Sequence, residues 1–105
     1  CYINNAVQAN ILSAVNGDIK KPEVFNIAVG ERTTLNQLIT LIDNSLSIRQ
    51  VNFSGEVVHS DIRAGDVLHS LADINKAKNL LKYSPSHKIH EGIEDCIDWY
   101  LKKYL

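Results

Sequence analysis

The sequence predicts an α/β domain of four helices and three short strands, in the order strand, helix, strand, helix, strand, helix, helix. Two patterns predict the elements: β-branched or aromatic runs bounded by turn residues, and longer stretches whose apolar residues return at helical spacing. A third observation sets the class. In Glu23-Val24-Phe25-Asn26-Ile27-Ala28-Val29 the only polar residue after Glu23 is Asn26. A near-continuous apolar run of this kind predicts a strand covered on both faces, as in a parallel sheet flanked by helices.

In chain order, Cys1 to Ile3 read as the end of a strand. Asn4 or Asn5 then supplies a side-chain oxygen for the first free N–H groups of a helix over about 5–16. Val7, Ile11, Ala14 and Val15 share one face of that helix, and Gly17 suits the left-handed residue after its last turn. Gly17 to Pro22 form a turn-rich connection, and the strand over 23–29 ends at Gly30. Thr34 and Gln37 fit a capping box, followed by the stripe Leu35, Leu38, Ile39, Ile42 and Leu46 of a second helix. The third strand is Glu56-Val57-Val58-His59. Asp73 resembles the N-cap of a short helix carrying Ile74, Ala77, Leu80 and Leu81, which must stop before Pro85. The last helix begins near Lys88 or Ile89, with Ile89, Ile93, Cys96, Ile97, Tyr100 and Tyr104 on its apolar face. Glu91, Glu94, Asp95, Asp98, Lys102 and Lys103 turn outward, acids early and lysines late, as the helix dipole favours.

The bulk properties exclude several functions. One hundred and five residues with 45% hydrophobic and 22% charged side chains suit one small soluble domain rather than a disordered tract. Net charge is -1 and the basic residues are scattered, so no stripe tracks a phosphate backbone and nucleic acid is set aside. No apolar run approaches the roughly 20 residues that span a bilayer, and the first residues show no basic region followed by an apolar core and cleavage site. The expected compartment is the cytoplasm. Cys1 and Cys96 are too far apart in the element order to suggest a disulfide framework. The chain holds no methionine, so residue 1 is expected to lie inside a longer polypeptide.

The densest polar chemistry lies in the predicted loop Asp61 to Asp73. Arg63 can grip a diphosphate through two parallel hydrogen bonds, and Asp66, three residues on, can accept from sugar hydroxyls. Gly65 between them lets the backbone approach a ligand closely. A surface turn with an ion pair is the plainer reading of the same residues. His59, Asp61 and His69 tempt a metal reading, but no histidine pair has i, i+4 helical spacing and no cysteine is near, so no metal is expected. His87 and His90 read as surface residues at a helix start. Cys96 sits on an apolar helix face, no Gly-x-Ser-x-Gly elbow occurs, and Gly30 and Gly65 stand alone, so no nucleophile or phosphate loop is evident.

Several segments together resemble one family. They are Cys1-Tyr2-Ile3-Asn4-Asn5-Ala6-Val7-Gln8-Ala9-Asn10, Phe25-Asn26-Ile27-Ala28-Val29-Gly30-Glu31-Arg32-Thr33-Thr34-Leu35-Asn36, Arg63-Ala64-Gly65-Asp66 through Ile74, Leu81-Lys82-Tyr83-Ser84-Pro85, and Glu91-Gly92-Ile93 with Trp99-Tyr100. In this order they are similar to the C-terminal, substrate-binding part of the extended short-chain dehydrogenase/reductases of the NAD-dependent epimerase/dehydratase type, and within them to bacterial UDP-N-acetylglucosamine 4-epimerases. The likeness covers essentially the whole chain.

The resemblance implies the substrate-binding portion of a Rossmann-type fold. It assigns Arg63 to the UDP diphosphate and Asp66 to the uridine ribose. Ser70 stands where family members restricted to unacetylated hexoses tend to carry a bulky Tyr, which implies UDP-GlcNAc, UDP-GalNAc or their uronic acids. A sister nucleotide-sugar dehydratase or decarboxylase, or a non-catalytic binding remnant, is the alternative. The family's glycine-rich NAD turn, its catalytic Tyr-x-x-x-Lys and a second diphosphate-binding Arg would all lie upstream of residue 1. NAD and catalysis are therefore expected of a full-length parent, an isomerase and homodimer by resemblance, and not of residues 1–105 alone. Lys82 replaces a glycine usual in the family, at a cost of up to about 1 kcal/mol if the site is left-handed. The strand over 23–29, lacking sheet neighbours, predicts that the isolated chain self-associates or exposes apolar surface.

Overall fold

A computed structural model describes residues 1–52, 54–67 and 69–104. Among them stand four helices, α1 (Ile3–Val15), α2 (Leu35–Ile48), α3 (Asn75–Leu81) and α4 (Ile89–Tyr104). They pack as two pairs, α1 against α3 and α2 against α4. The radius of gyration is 17.3 Å, well above the roughly 13 Å of a compact chain this long. In the connection between α2 and α3 every described residue from Asn52 to Leu71 is exposed.

The main buried cluster lies on the first pair, with Ile93 and Ile97 of α4 buried apart from it. Ala9 of α1 and Ala77 of α3 are small, which lets the two helices approach, and Ile74, Leu81 and Tyr83 fill the space around them. Leu12, Ile19, Phe25, Ile27 and Ala28 close this cluster. Tyr83 is 1% exposed, and its hydroxyl donates to the Ala28 carbonyl at 2.9 Å, so its polar end is satisfied inside the core.

None of the three expected strands forms among the described residues. A strand exists only through a ladder to a neighbour, and segments 1–3, 23–29 and 56–59 do not pair with one another. Tyr2 and Ile3 instead open α1. Segment 56–59 is exposed throughout. Segment 23–29 is covered only in part: Glu23, Phe25, Ile27, Ala28 and Val29 are partly covered, while Val24 is 84% exposed and Asn26 is open. Covering on both faces is thus not met within this chain. Side chains hold the segment in place, since Lys76 Nζ donates to the Val24 carbonyl at 2.9 Å and Asn26 Nδ2 donates to that of Asp73 at 3.2 Å.

Helix ends follow the sequence in part. Thr34 and Gln37 form the capping box in full. Neither Asn4 nor Asn5 caps α1, whose N-cap is Tyr2 with no side-chain bond. Asn5 is instead buried, one turn before Ala9. Its Oδ1 accepts from the Ser86 and His87 N–H groups at 2.9 and 3.1 Å, and its Nδ2 donates to the His87 carbonyl at 2.6 Å, tying the approach to α4 onto α1. The end of α1 likewise uses Asn16 rather than Gly17: Asn16 Oδ1 accepts from the N–H groups of Asp18 and Ile19. Asp73 lies one residue before the N-cap, Ile74, and accepts from the Asn75 N–H at 2.8 Å. Two helices end on left-handed residues that are not glycine, Gln50 after α2 and Lys82 after α3.

On α4, Asp98 is exposed as expected, whereas Glu94 is partly covered; both pair with Arg49 at the end of α2. Arg49 donates to Glu94 at 2.9 Å and also to Asp98, and Ser45 Oγ donates to Glu94. The Ser45 hydroxyl, and next Arg49, hold the Glu94 carboxyl below its ordinary value. Arg49 does the same for Asp98, and the guanidinium is raised in turn. Among the described residues no helix is long and apolar enough to cross a membrane.

Candidate functional site

The polar stretch lies in the connection between α2 and α3. An unstructured connection of this length is uncommon in a compact domain and usually functional or disordered. Its two ends are fixed. Behind α2, the N–H groups of Gln50 and Val51 return to the carbonyls of Ser47 and Leu46 at 2.9 and 3.0 Å, the left-handed closure of a helix end. Ahead of α3, Ile74 is buried and the Asp73 carbonyl accepts from Asn26. Between them, His59 Nε2 meets Asn36 Oδ1 at 3.3 Å, laying the chain beside the first turn of α2.

Arg63 and Asp66 are brought together by a tight turn. The Asp66 N–H donates to the Arg63 carbonyl at 3.1 Å, with Gly65 at φ +92°, the third-position glycine that a type II turn requires. A Cβ at Gly65 would meet nothing within 4 Å. The glycine therefore serves the backbone angle here, and the close approach to a ligand read from sequence is a separate matter. Both side chains are exposed, so a cation and a carboxylate project from one turn into solvent. Ser70 is exposed on the same connection; Leu68, between it and the turn, lies outside the described residues.

Among the described residues, no enclosed pocket gathers around these three. An open depression of 490 Å³ lies instead over the start of α2, lined by Arg32, Thr33, Asn36, Gln37, Thr40, Leu41 and Ile89. The sequence reading passed over Arg32. Its only signal was a cation between Gly30 and the capping box, a pattern that also fits an ordinary surface loop. Lys88 pairs with Glu31 at the neighbouring turn, and that carboxylate raises the lysine's pKa.

Gly30 has a left-handed φ of +73°, but a Cβ there would press on Ile74 at 3.1 Å, so its openness serves packing. The five glycines are isolated, and none forms a strand–turn–helix cradle among the described residues.

Comparison with known proteins follows the same outline. No family model matches the chain. A Bacillus subtilis protein named as an uncharacterized UDP-glucose epimerase is 32% identical over 107 residues, covering 98% of this chain and 31% of that protein. The UDP-glucuronate 4-epimerase of Thermodesulfobacterium geofontis is 28% identical over 102 residues, covering 93% of this chain and 28% of that enzyme. The crystal structure of the UDP-glucose 4-epimerase of Thermotoga maritima, solved with UDP-glucose, superposes with a TM-score of 0.82 at 34% identity, over 99% of this chain and 31% of that one. The chain is thus related in sequence and in backbone to nucleotide-sugar epimerases, and it spans about 30% of their length.

Proposed function

We propose that the chain is the C-terminal, UDP-sugar-binding portion of an NAD-dependent nucleotide-sugar 4-epimerase. The observation that carries this reading is the whole-chain likeness, at 34% identity, to a protein solved with UDP-glucose. Arg63 takes the diphosphate through its planar fork, and Asp66 accepts from the ribose hydroxyls. The Gly65 turn sets the spacing between them. Ser70, a small residue, leaves room beside the sugar for an N-acetyl group, which favours UDP-hexosamines or their uronic acids over plain hexoses. NAD, with its capacity to accept and return hydride, belongs to the part of such an enzyme that this chain does not span.

Calorimetric titration of the chain with UDP tests the reading. Arg63→Ala is expected to weaken binding by about 10- to 150-fold, the loss of a charge-assisted hydrogen bond of about 1.5–3 kcal/mol. Equal affinity of wild type and Arg63→Ala for UDP would remove Arg63 from the site and sink the assignment.

A further inference from the structure

The turn that closes α1 rests on one side chain, and that side chain belongs to an Asn-Gly pair. Asn16 Oδ1 accepts from the N–H groups of Asp18 and Ile19 at 2.9 and 3.0 Å, in the manner of an Asx turn. Its Nδ2 donates to the carbonyl of Leu80, in the last turn of α3, at 3.0 Å. One amide therefore ends α1 and ties it to α3. Asparagine before glycine is also the pair in which the next main-chain nitrogen most readily attacks the side-chain amide, because no Cβ stands beside that nitrogen. Gly17 is exposed and open space surrounds it, since a Cβ there would meet nothing within 4 Å. What restrains the reaction is conformation. The five-membered ring that forms needs Asn16 Cβ and the Gly17 nitrogen nearly eclipsed about the Cα–C bond, and the ψ of 113° at Asn16 turns them apart.

We propose that Asn16 is a site of spontaneous deamidation, gated by opening of the α1–α3 junction and loosening that junction once it has occurred. In the opened turn the Gly17 nitrogen bonds to Asn16 Cγ, the Cγ–Nδ2 bond breaks, and Nδ2 leaves as ammonia with the proton from Gly17. Solvent water then opens the cyclic imide at either carbonyl, giving aspartate or, with the main chain rerouted through Cβ, isoaspartate. Fraying of a helix end supplies the opening, since such segments unfold locally at little cost. Both products lack the Nδ2 donor. The Leu80 carbonyl then faces a carboxylate oxygen instead of an N–H, and the new negative charge sits where α1 and α3 both end, the end of a helix that disfavours anions. Aspartate can keep the bonds from Asp18 and Ile19, whereas isoaspartate adds a carbon to the main chain and shifts their register. The isoaspartate form is therefore the looser of the two.

Incubation of the chain at neutral pH, folded or in guanidinium chloride, followed by peptide mass spectrometry tests the site and its gate. The amide-to-acid mass gain is expected at Asn16 in the folded chain, more slowly than in the unfolded one, with isoaspartate read by its enzymatic methylation. Gly17→Ala, which open space accommodates and no left-handed angle forbids, is expected to suppress the gain. The deamidated fraction, separated by its extra negative charge, and the variant Asn16→Asp are both expected to unfold at lower urea than the unmodified chain, the isoaspartate form lowest. Absence of the gain at Asn16 in the folded chain, or an undiminished rate in Gly17→Ala, overturns the site. Equal rates in the folded and unfolded chain overturn the gate, and a deamidated chain that unfolds at the unmodified midpoint overturns the loosening of the junction.

Discussion

Lys82 ends α3 at φ 58°, ψ 28°, and the substitution Lys82→Gly measures what that angle costs. An L-residue in the left-handed region loses about 1–2 kcal/mol to the clash of Cβ with the following carbonyl. Glycine escapes the clash but gives up roughly 0.5–1 kcal/mol more backbone freedom on folding. The Lys82 Nζ bond to the Asn79 carbonyl, at 3.0 Å, is exposed and offsets little of the strain. The turn itself is kept by the Tyr83 N–H, which reaches back to the Ala77 carbonyl at 3.2 Å whatever side chain precedes it. Lys82→Gly is therefore expected to stabilise the fold by about 0.5–1 kcal/mol, or about 2–8 °C in melting temperature. Lys82→Ala is the control, because it removes the ammonium and keeps the strain; it should stay within about 0.5 kcal/mol of wild type. Urea unfolding followed by helical circular dichroism reads both, as a shift in midpoint at constant slope. A glycine variant that unfolds at or below the wild-type midpoint, or an alanine variant that gains as much as glycine, would refute the strain argument.

Two further outcomes follow from the core and from the α2–α4 junction. Tyr83→Phe leaves the Ala28 carbonyl without its donor and should cost about 1–3 kcal/mol; an unchanged urea midpoint would show that this hydroxyl does not anchor segment 23–29. Glu94 and Asp98 have folded pKa values below their ordinary ones, so the stability they contribute is present above the unfolded values and is lost as pH falls through the folded ones. Urea midpoints should therefore begin to drop as pH approaches about 4 and continue to drop below it, and Arg49→Gln should flatten that acid slope. A slope identical in wild type and Arg49→Gln would place the acid sensitivity elsewhere.

What the sequence made legible was whatever a residue settles with its near neighbours. The Thr34–Gln37 capping box, the stop before Pro85 and the acid-to-lysine order along α4 are all decided within a turn or two, and all stand in the structure. Asn5 misled because a local rule competed with a distant one. Its side chain could cap its own helix, but Asn5 is buried there and its amide is satisfied instead by the part-buried backbone of Ser86 and His87, and an orphaned buried amide costs more than an uncapped helix start. Glu94 is partly covered for a related reason: helical spacing says which residues share a face, not that Arg49 lies opposite.

The strands fail for a deeper version of the same reason. Val24 to Val29 have the composition of a covered strand, and the structure covers them only in part, with Phe25 and Ile27 on the core while leaving Val24 open. Composition records the environment a segment is built for, whereas a strand is realised only when another backbone completes its hydrogen bonds. The candidate site shows the same split. The Arg63–Asp66 turn is local, needs only Gly65 at positive φ, and forms. The enclosure that would turn an exposed cation and carboxylate into a pocket is not local, and the described residues do not supply it. The Arg63–Asp66 turn therefore poses one physical question, which surface meets it, and titration with UDP answers it.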